Sequence, residues 1–318
     1  MRPIFIQAAA IAAALSTACQ ASPEVAREGF VTTDDGVPLY FVERGSGADV
    51  LVVPVGFYLE ERLEPLAEGR RVIFYDPRHR GRSGRGDLSA VSLDRQIADL
   101  ETLRAHLGVE RMAVLGWSGL GMEMAVYAMR HPDRVTRLVQ LSPVPPAASI
   151  MRAEGDSRGE RADQTALEAL DARADAGAFA DDPEAYCRAR NALTNPTNFA
   201  DPARAREVPD VCVYENEWPI NLWPYFGALL GGFGDYDWRK DLAALEIPRL
   251  VVHGREDGVP LAGARAWAAG YPNARLLVLS PAGHFPFIEQ PEATLAAIDA
   301  FLDGGWPVGA EEVPAPEG

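Results

Sequence analysis

The chain has no excess of positive charge. Its 30 Lys and Arg residues face 46 Asp and Glu, a formal net charge of −16 over 318 residues. Such a surface repels nucleic-acid phosphates, so DNA and RNA are not expected as partners, and the acidity reads as a solubilising surface. The sequence also lacks any metal-ligand cluster: its three cysteines and five histidines fall in no recognisable ligand spacing. It lacks a phosphate-cradling loop, because Gly119-Leu120-Gly121 and Gly231-Gly232 do not have the dinucleotide-binding spacing. Neither a metal nor a cofactor is expected. The chain shows no internal repeat, and its N-terminal apolar run, Ile4 through Leu15, is too short to span a bilayer comfortably.

That run belongs to a leader. Arg2, the apolar stretch and the small residues Ser16, Thr17 and Ala18 before Cys19 have the pattern of a bacterial signal peptide over residues 1–21. Leu15 lies four residues before Cys19, where a lipobox places its leucine at three. Two outcomes stand: a lipid anchor at Cys19, or ordinary cleavage near Ala18 or Ala21. Either predicts an exported protein, periplasmic or anchored to the outer membrane. Removing or lipidating Cys19 leaves Cys187 and Cys212, an even pair in an oxidising compartment. They are either a disulfide or two buried thiols.

The remaining length suits one large domain with an insertion. Phe30–Thr33 and Pro38–Val42, separated by Asp34-Asp35-Gly36, predict a hairpin. Val50–Val53 and Arg71–Tyr75 are short apolar strand runs. Leu93, Ile97, Leu100, Leu103 and Leu107 recur with the helical period, and Gly108 ends that helix. Strands follow at Arg111–Leu115 and Val135–Leu141, then at Leu250–His253 and Leu276–Leu279. Alternating strands and helices predict an α/β fold with a mainly parallel sheet covered on both faces. The rhythm breaks at Ser142-Pro143-Val144-Pro145-Pro146 and resumes at Ile247, with a charged, helical and then aromatic-rich stretch between. The expected organisation is a core over 28–143 and 241–303, a helical lid over 144–240, and a disordered Pro/Gly/Glu-rich tail over 304–318.

The most informative stretch is Gly116-Trp117-Ser118-Gly119-Leu120-Gly121. A strand runs into it, and Met122, Ala125, Val126 and Met129 leave it at helical spacing as far as His131-Pro132. A serine on so sharp a turn presents its hydroxyl clear of both elements, beside the first amide of a helix. Serine needs a base to act as a nucleophile at neutral pH, and histidine is suited to that work. Among the five histidines, only His284 follows a strand, sits after a glycine and precedes a helix start. The Gly254–Gly258 loop supplies Asp257 as the carboxylate to orient the imidazole, with Glu256 as its rival.

The order Ser118, Asp257, His284 is that of the α/β-hydrolases. With Tyr75-Asp76-Pro77-Arg78-His79-Arg80-Gly81-Arg82-Ser83 and Ala282-Gly283-His284-Phe285-Pro286, the chain resembles that fold family over about residues 30–303, nearest its proline-iminopeptidase-like branch. The resemblance implies a metal-independent serine hydrolase that passes through an acyl-enzyme, acting on small esters or N-terminal prolyl amides. It implies an oxyanion hole from the Gly119 amide and, by aligning Gly56 with the family glycine, the Phe57 amide. Asp76 and Arg78 match a turn that braces the loop next to the site. Two departures stand out: Leu120 replaces the glycine usual two residues after the serine, and Pro54-Val55 replaces the usual His before Gly56. Lid carboxylates hold the substrate amine in iminopeptidases, which makes Glu215 and Glu217 candidates. Trp117 and Trp218 are candidate substrate contacts, within an aromatic group that includes Trp223, Tyr225, Phe226 and Trp238. The competing readings are a cofactor-free haloperoxidase using the same triad and a lipid-tethered binding protein on a hydrolase scaffold.

Overall fold

Uninterrupted apolar strands with no polar face must be covered on both sides, and that requirement organises the sheet. In the computed structural model, which describes residues 25–315, eight strands form one sheet. They are β1 (Val25–Thr32), β2 (Pro38–Arg44), β3 (Val50–Pro54), β4 (Arg71–Tyr75), β5 (Met112–Trp117), β6 (Val135–Leu141), β7 (Arg249–Gly254) and β8 (Ala274–Leu279). Their spatial order is β1-β2-β4-β3-β5-β6-β7-β8. The first hairpin pairs antiparallel and joins β4 antiparallel; every other pairing is parallel. The order reverses between β3 and β5, so their carboxyl ends open a crevice, the usual place for ligands in such sheets.

Three helices bear on the site. Helix α1 (Gly56–Leu63) follows β3, α2 (Leu93–His106) starts at an Ser92 cap, and α3 (Gly119–Arg130) leaves β5 without a linker. Leu93, Ile97, Leu100 and Leu103 bury one face of α2, as their spacing predicts. Helix α3 is buried through Met122–Ala128, including its one carboxylate there, Glu123. One apolar cluster joins α2, α3 and the core sides of β4 and β5; a second lies on the other face of the sheet, under α1 and the helix Pro291–Leu302.

The turn after β4 is held by ion pairs in the interior. Arg78, fully buried, makes bidentate bonds to Asp99 of α2 at 2.6 and 2.7 Å and to Asp35 at 2.9 and 3.1 Å. Asp76 accepts the Arg82 amide and Nε at 2.9 and 2.8 Å. These contacts fit the bracing role expected of Asp76 and Arg78.

Between β6 and β7 the chain adds no strand to the sheet among the described residues, only helices, turns and one isolated bridge, Ala147 to Asp237. Its main helices are Gln164–Asp175, Pro183–Thr194 and Pro219–Gly231. Cys187 and Cys212 form a disulfide that ties the second of these to the following turn. The leader 1–21 and Cys19 lie outside the described residues. The tail departs from expectation: residues 304–315 are ordered. Glu311 pairs its backbone with Leu276 at 2.9 Å in both directions, the Gly270 amide donates to the Val313 carbonyl at 2.8 Å, and Trp306 packs on Phe301. The reason is that β8 is an edge strand, whose free backbone groups and flanking apolar surface recruit the tail as cover.

The disulfide spans a sequence separation of 25, a loop whose closure restricts the unfolded chain by about 3 kcal/mol. Reduction, or Cys187→Ser with Cys212→Ser, is expected to lower urea-unfolding stability by about that amount. A change below about 0.5 kcal/mol would show that the bridge adds nothing to the lid's stability.

Candidate active site

The nucleophile candidate sits where β5 becomes α3. Ser118 has φ 58° and ψ −128°, a conformation that non-glycine residues rarely adopt. A Cβ on Gly116 would collide with the Leu120 carbonyl and come within 2.7 Å of the Gly121 amide, so glycine is required on the strand side. Gly121 faces the Gly116 carbonyl and Pro143 at 3.0 and 3.2 Å from an ideal Cβ. Leu120 is accommodated because its side chain lines the cavity instead of the strand–helix contact. The departure from the usual glycine pattern therefore leaves the turn intact.

His284 and Asp257 arrive from loops after β8 and β7. His284 Nε2 lies 3.0 Å from Ser118 Oγ, and Nδ1 lies 2.9 and 3.1 Å from the two Asp257 carboxylate oxygens. Glu256, the rival acid, accepts Ser280 Oγ and the Ala282 amide at 2.8 Å each, so it braces the histidine loop from behind. The lid holds the same loop: the His284 amide donates to the Asn198 carbonyl at 2.7 Å, and Glu289 accepts the amides of Gly283 and Ala200. Burial raises the Asp257 carboxyl, but the imidazoles of His284 and His253 and the bonds it accepts outweigh this and hold it at about 2. Burial lowers His284 below its ordinary value, and the Asp257 charge only partly opposes it. The resting site thus pairs an ionised aspartate with a neutral imidazole.

The amides flanking the serine differ from expectation in one place. Gly119 opens α3, and its N–H has no acceptor among the described residues. The Phe57 N–H is not free: it donates to Asp76 Oδ1 at 3.1 Å. Val55 adopts a left-handed backbone (φ 52°, ψ 51°), which turns the chain one residue earlier than the alignment on Gly56 implies. The Gly56 N–H, at the start of α1, is left without an acceptor among the described residues.

A cavity of about 490 Å³ opens at Ser118 and His284. Trp117 lines it, donating its Nε1 to the His284 carbonyl at 2.8 Å and stacking on Tyr58. Tyr225 and Phe226 of the Pro219–Gly231 helix line it, whereas Trp218, Trp223 and Trp238 do not. Trp218 instead donates Nε1 to the Cys212 carbonyl at 2.6 Å. Glu215 is also off the cavity, exposed beside Arg85 at 3.6 Å, because it and Glu217 fall on different sides of one short turn. Glu217 reaches the cavity wall, but Arg80 holds both its oxygens at 2.9 Å and the Gly81 amide donates to it at 2.9 Å. Glu123 also lines the cavity, a residue the helical periodicity did not single out.

Over residues 56–291 the sequence matches the family described as alpha/beta hydrolase fold. The chain is 28% identical to the non-heme haloperoxidase of Rhodococcus erythropolis over 86% of this chain and 99% of that protein. It is 25% identical to the proline iminopeptidase of Heyndrickxia coagulans over 87% and 98%. It is 30% identical to the pimeloyl-[acyl-carrier protein] methyl ester esterase of Aromatoleum aromaticum over 72% and 85%.

The geometry separates the two lid carboxylates. Glu217→Gln removes half of a buried bidentate pair and leaves Arg80 under-partnered, with an expected loss of about 3–5 kcal/mol in denaturant unfolding. Glu215→Gln, at an exposed pair, is expected to change stability by about 0.5 kcal/mol or less. Equal effects would contradict the placement of Glu217 as a packed structural carboxylate.

Proposed function

The chain belongs to the alpha/beta hydrolase fold family, and from that membership we propose that it is a serine hydrolase of small carboxylic esters. The observation that carries the reading is the Ser118–His284–Asp257 chain of hydrogen bonds at 3.0 and 2.9 Å, with Ser118 and His284 lining a cavity. In the reading, His284 Nε2 takes the Ser118 proton as Oγ attacks the ester carbonyl. Asp257 holds the tautomer with the proton on Nδ1 and stabilises the imidazolium. The oxyanion is received by the Gly119 amide and by the Gly56 amide, the free donor one residue before Phe57; each such donor is worth about 3 kcal/mol. The imidazolium then protonates the departing alkoxide, and a water activated by the same imidazole releases the acyl group from Ser118.

Hydrolysis of N-terminal prolyl amides is the second reading, supported by the likeness to a proline iminopeptidase. Among the described residues no free lid carboxylate lines the cavity to hold the amine, since Glu217 is engaged by Arg80 and Glu215 lies off the cavity. The ester reading is favoured for that reason. The leader pattern and the Cys187–Cys212 bridge together support a protein that works outside the cytoplasm.

The test is a panel of p-nitrophenyl esters and prolyl naphthylamide. Ser118→Ala and His284→Ala are each expected to lower kcat by about 10⁴-fold or more, with no further loss in the double variant, because triad members act as a unit. Because His284 must be neutral to accept the proton, kcat/KM for esters should fall as pH drops through a midpoint below its ordinary value of about 6.5. Turnover that survives in Ser118→Ala contradicts the mechanism. Prolyl amide hydrolysis faster than ester hydrolysis overturns the choice of substrate.

A further inference from the structure

Glu123 has no role in the mechanism above, and its setting is unusual. It lies on α3, little more than one turn beyond Ser118, and only 3% of it is exposed. Its Oε1 is buried with no hydrogen-bond partner among the described residues, and Glu123 lines the same cavity as Ser118. An unpartnered buried carboxyl is costly and calls for a ligand that completes it.

The charged and titratable groups around it are already matched. Arg80, from the turn after β4, gives its Nε and Nη2 to the two Glu217 oxygens and lies over the Phe57, Tyr225 and Phe226 rings. Asp99 on α2 is held by Arg78. The Tyr225 hydroxyl accepts from Gln96 Nε2 at 2.7 Å, and His79 stacks on the Tyr225 ring. Tyr75 is also nearby, and its hydroxyl is buried without a partner among the described residues. Among the described residues no cation bonds to Glu123, and burial, reinforced by the Asp99 charge and only partly offset by Arg80, pushes its carboxyl up to about 8. At neutral pH it is therefore an uncharged acid, with one O–H to donate. A substrate cation is disfavoured at this end of the cavity, since the Arg80 guanidinium already occupies the ring faces there.

We propose that Glu123 is a specificity-determining residue, whose carboxyl O–H donates a hydrogen bond to an uncharged oxygen acceptor on the acyl chain of the substrate. The substrate class is thus esters of oxygenated acyl groups, with a carbonyl, ether or hydroxyl oxygen a few bonds from the ester. This rests on Ser118 being the nucleophile. A site built around a buried donor discriminates against an analogue lacking the acceptor, because binding the analogue leaves the donor unpaired.

The experiment compares p-nitrophenyl esters of hexanoic, 4-oxohexanoic and 5-oxohexanoic acids with that of 5-(trimethylammonio)pentanoic acid. It uses wild type, Glu123→Gln and Glu123→Leu, from about pH 6 to about pH 10. At neutral pH, wild type is expected to favour an oxo ester over hexanoate by roughly tenfold or more in kcat/KM. Glu123→Gln, which keeps an N–H donor, should retain most of that advantage, and Glu123→Leu should lose it. In wild type the advantage should also vanish as pH rises through about 8, while in Glu123→Gln it should not vary with pH. Stability gives an independent check if Glu123→Leu does not fold. A carboxyl raised in the folded state stabilises fully below its unfolded value, and that contribution is lost as pH rises through the folded one. Glu123→Gln should therefore gain melting temperature relative to wild type between about pH 5 and pH 8.

A flat difference in melting temperature overturns the proposal. So does an absent oxo advantage with esters still turned over, which leaves the hydrolase reading standing. A preference for the ammonium ester that grows above about pH 8 makes Glu123 a cation site and also overturns it. No turnover of any ester, with Ser118 unreactive, removes the hydrolase reading and the proposal with it.

Discussion

The Ser118 backbone is held at φ 58° by two elements that meet without a linker, and the site depends on that constraint. Such a conformation costs about 1–3 kcal/mol and persists only where the surrounding packing fixes it. Here β5 is locked in the middle of the sheet, α3 is buried through most of its length, and glycines at 116 and 121 let the two approach. The same constraint places Ser118, Gly119, Leu120 and Glu123 together on the cavity wall. Strain at the turn and a buried carboxyl with no partner among the described residues are both departures from what stability alone would favour. Both occur within six residues of one helix, next to the same cavity.

The loops carrying Asp257 and His284 have no such rigid base, so they are held by carboxylates that accept backbone amides. Glu256 binds the loop from the β7 side and Glu289 from the helix that follows, while Asn198 reaches down from the lid. The lid is thus part of the site's framework. Its disulfide, and the Arg80–Glu217 pair that joins it to the turn after β4, connect lid stability to the position of the imidazole. Electrostatically the arrangement separates two environments: Asp257 keeps its charge because imidazoles face it and groups donate to it, whereas burial, reinforced by the Asp99 charge, pushes the Glu123 carboxyl up.

The sequence made the sheet legible because its central strands are short, continuous apolar runs bounded by turn residues, and the helices because their apolar spacing and caps are regular. Ser118, Asp257 and His284 could be read from their order and from the strands that precede them. Three features could not. The Phe57 amide was misassigned because the left-handed turn at Val55 starts α1 one residue earlier, and no residue type announces a left-handed valine. Glu215 and Trp218 point away from the cavity because the short 215–217 turn orients neighbours oppositely, which composition does not reveal. The tail looked disordered by its Pro, Gly and Glu content, yet an edge strand supplies partners that local sequence does not show. Glu123 did carry a signal: a carboxylate between Met122 and Met124 on a helix too apolar to leave exposed.

The central claim is that Ser118 carries the acyl group. It is tested most directly by quenching Asp257→Asn during turnover of p-nitrophenyl acetate, where slowed deacylation lets the intermediate accumulate, and mapping the digest by mass spectrometry. The account predicts one acetyl group, on the Ser118 side chain, lost on longer incubation and absent when Ser118 is replaced by alanine. An unmodified Ser118 with the acetyl group on another residue, or turnover with no acylated species at all, would contradict it.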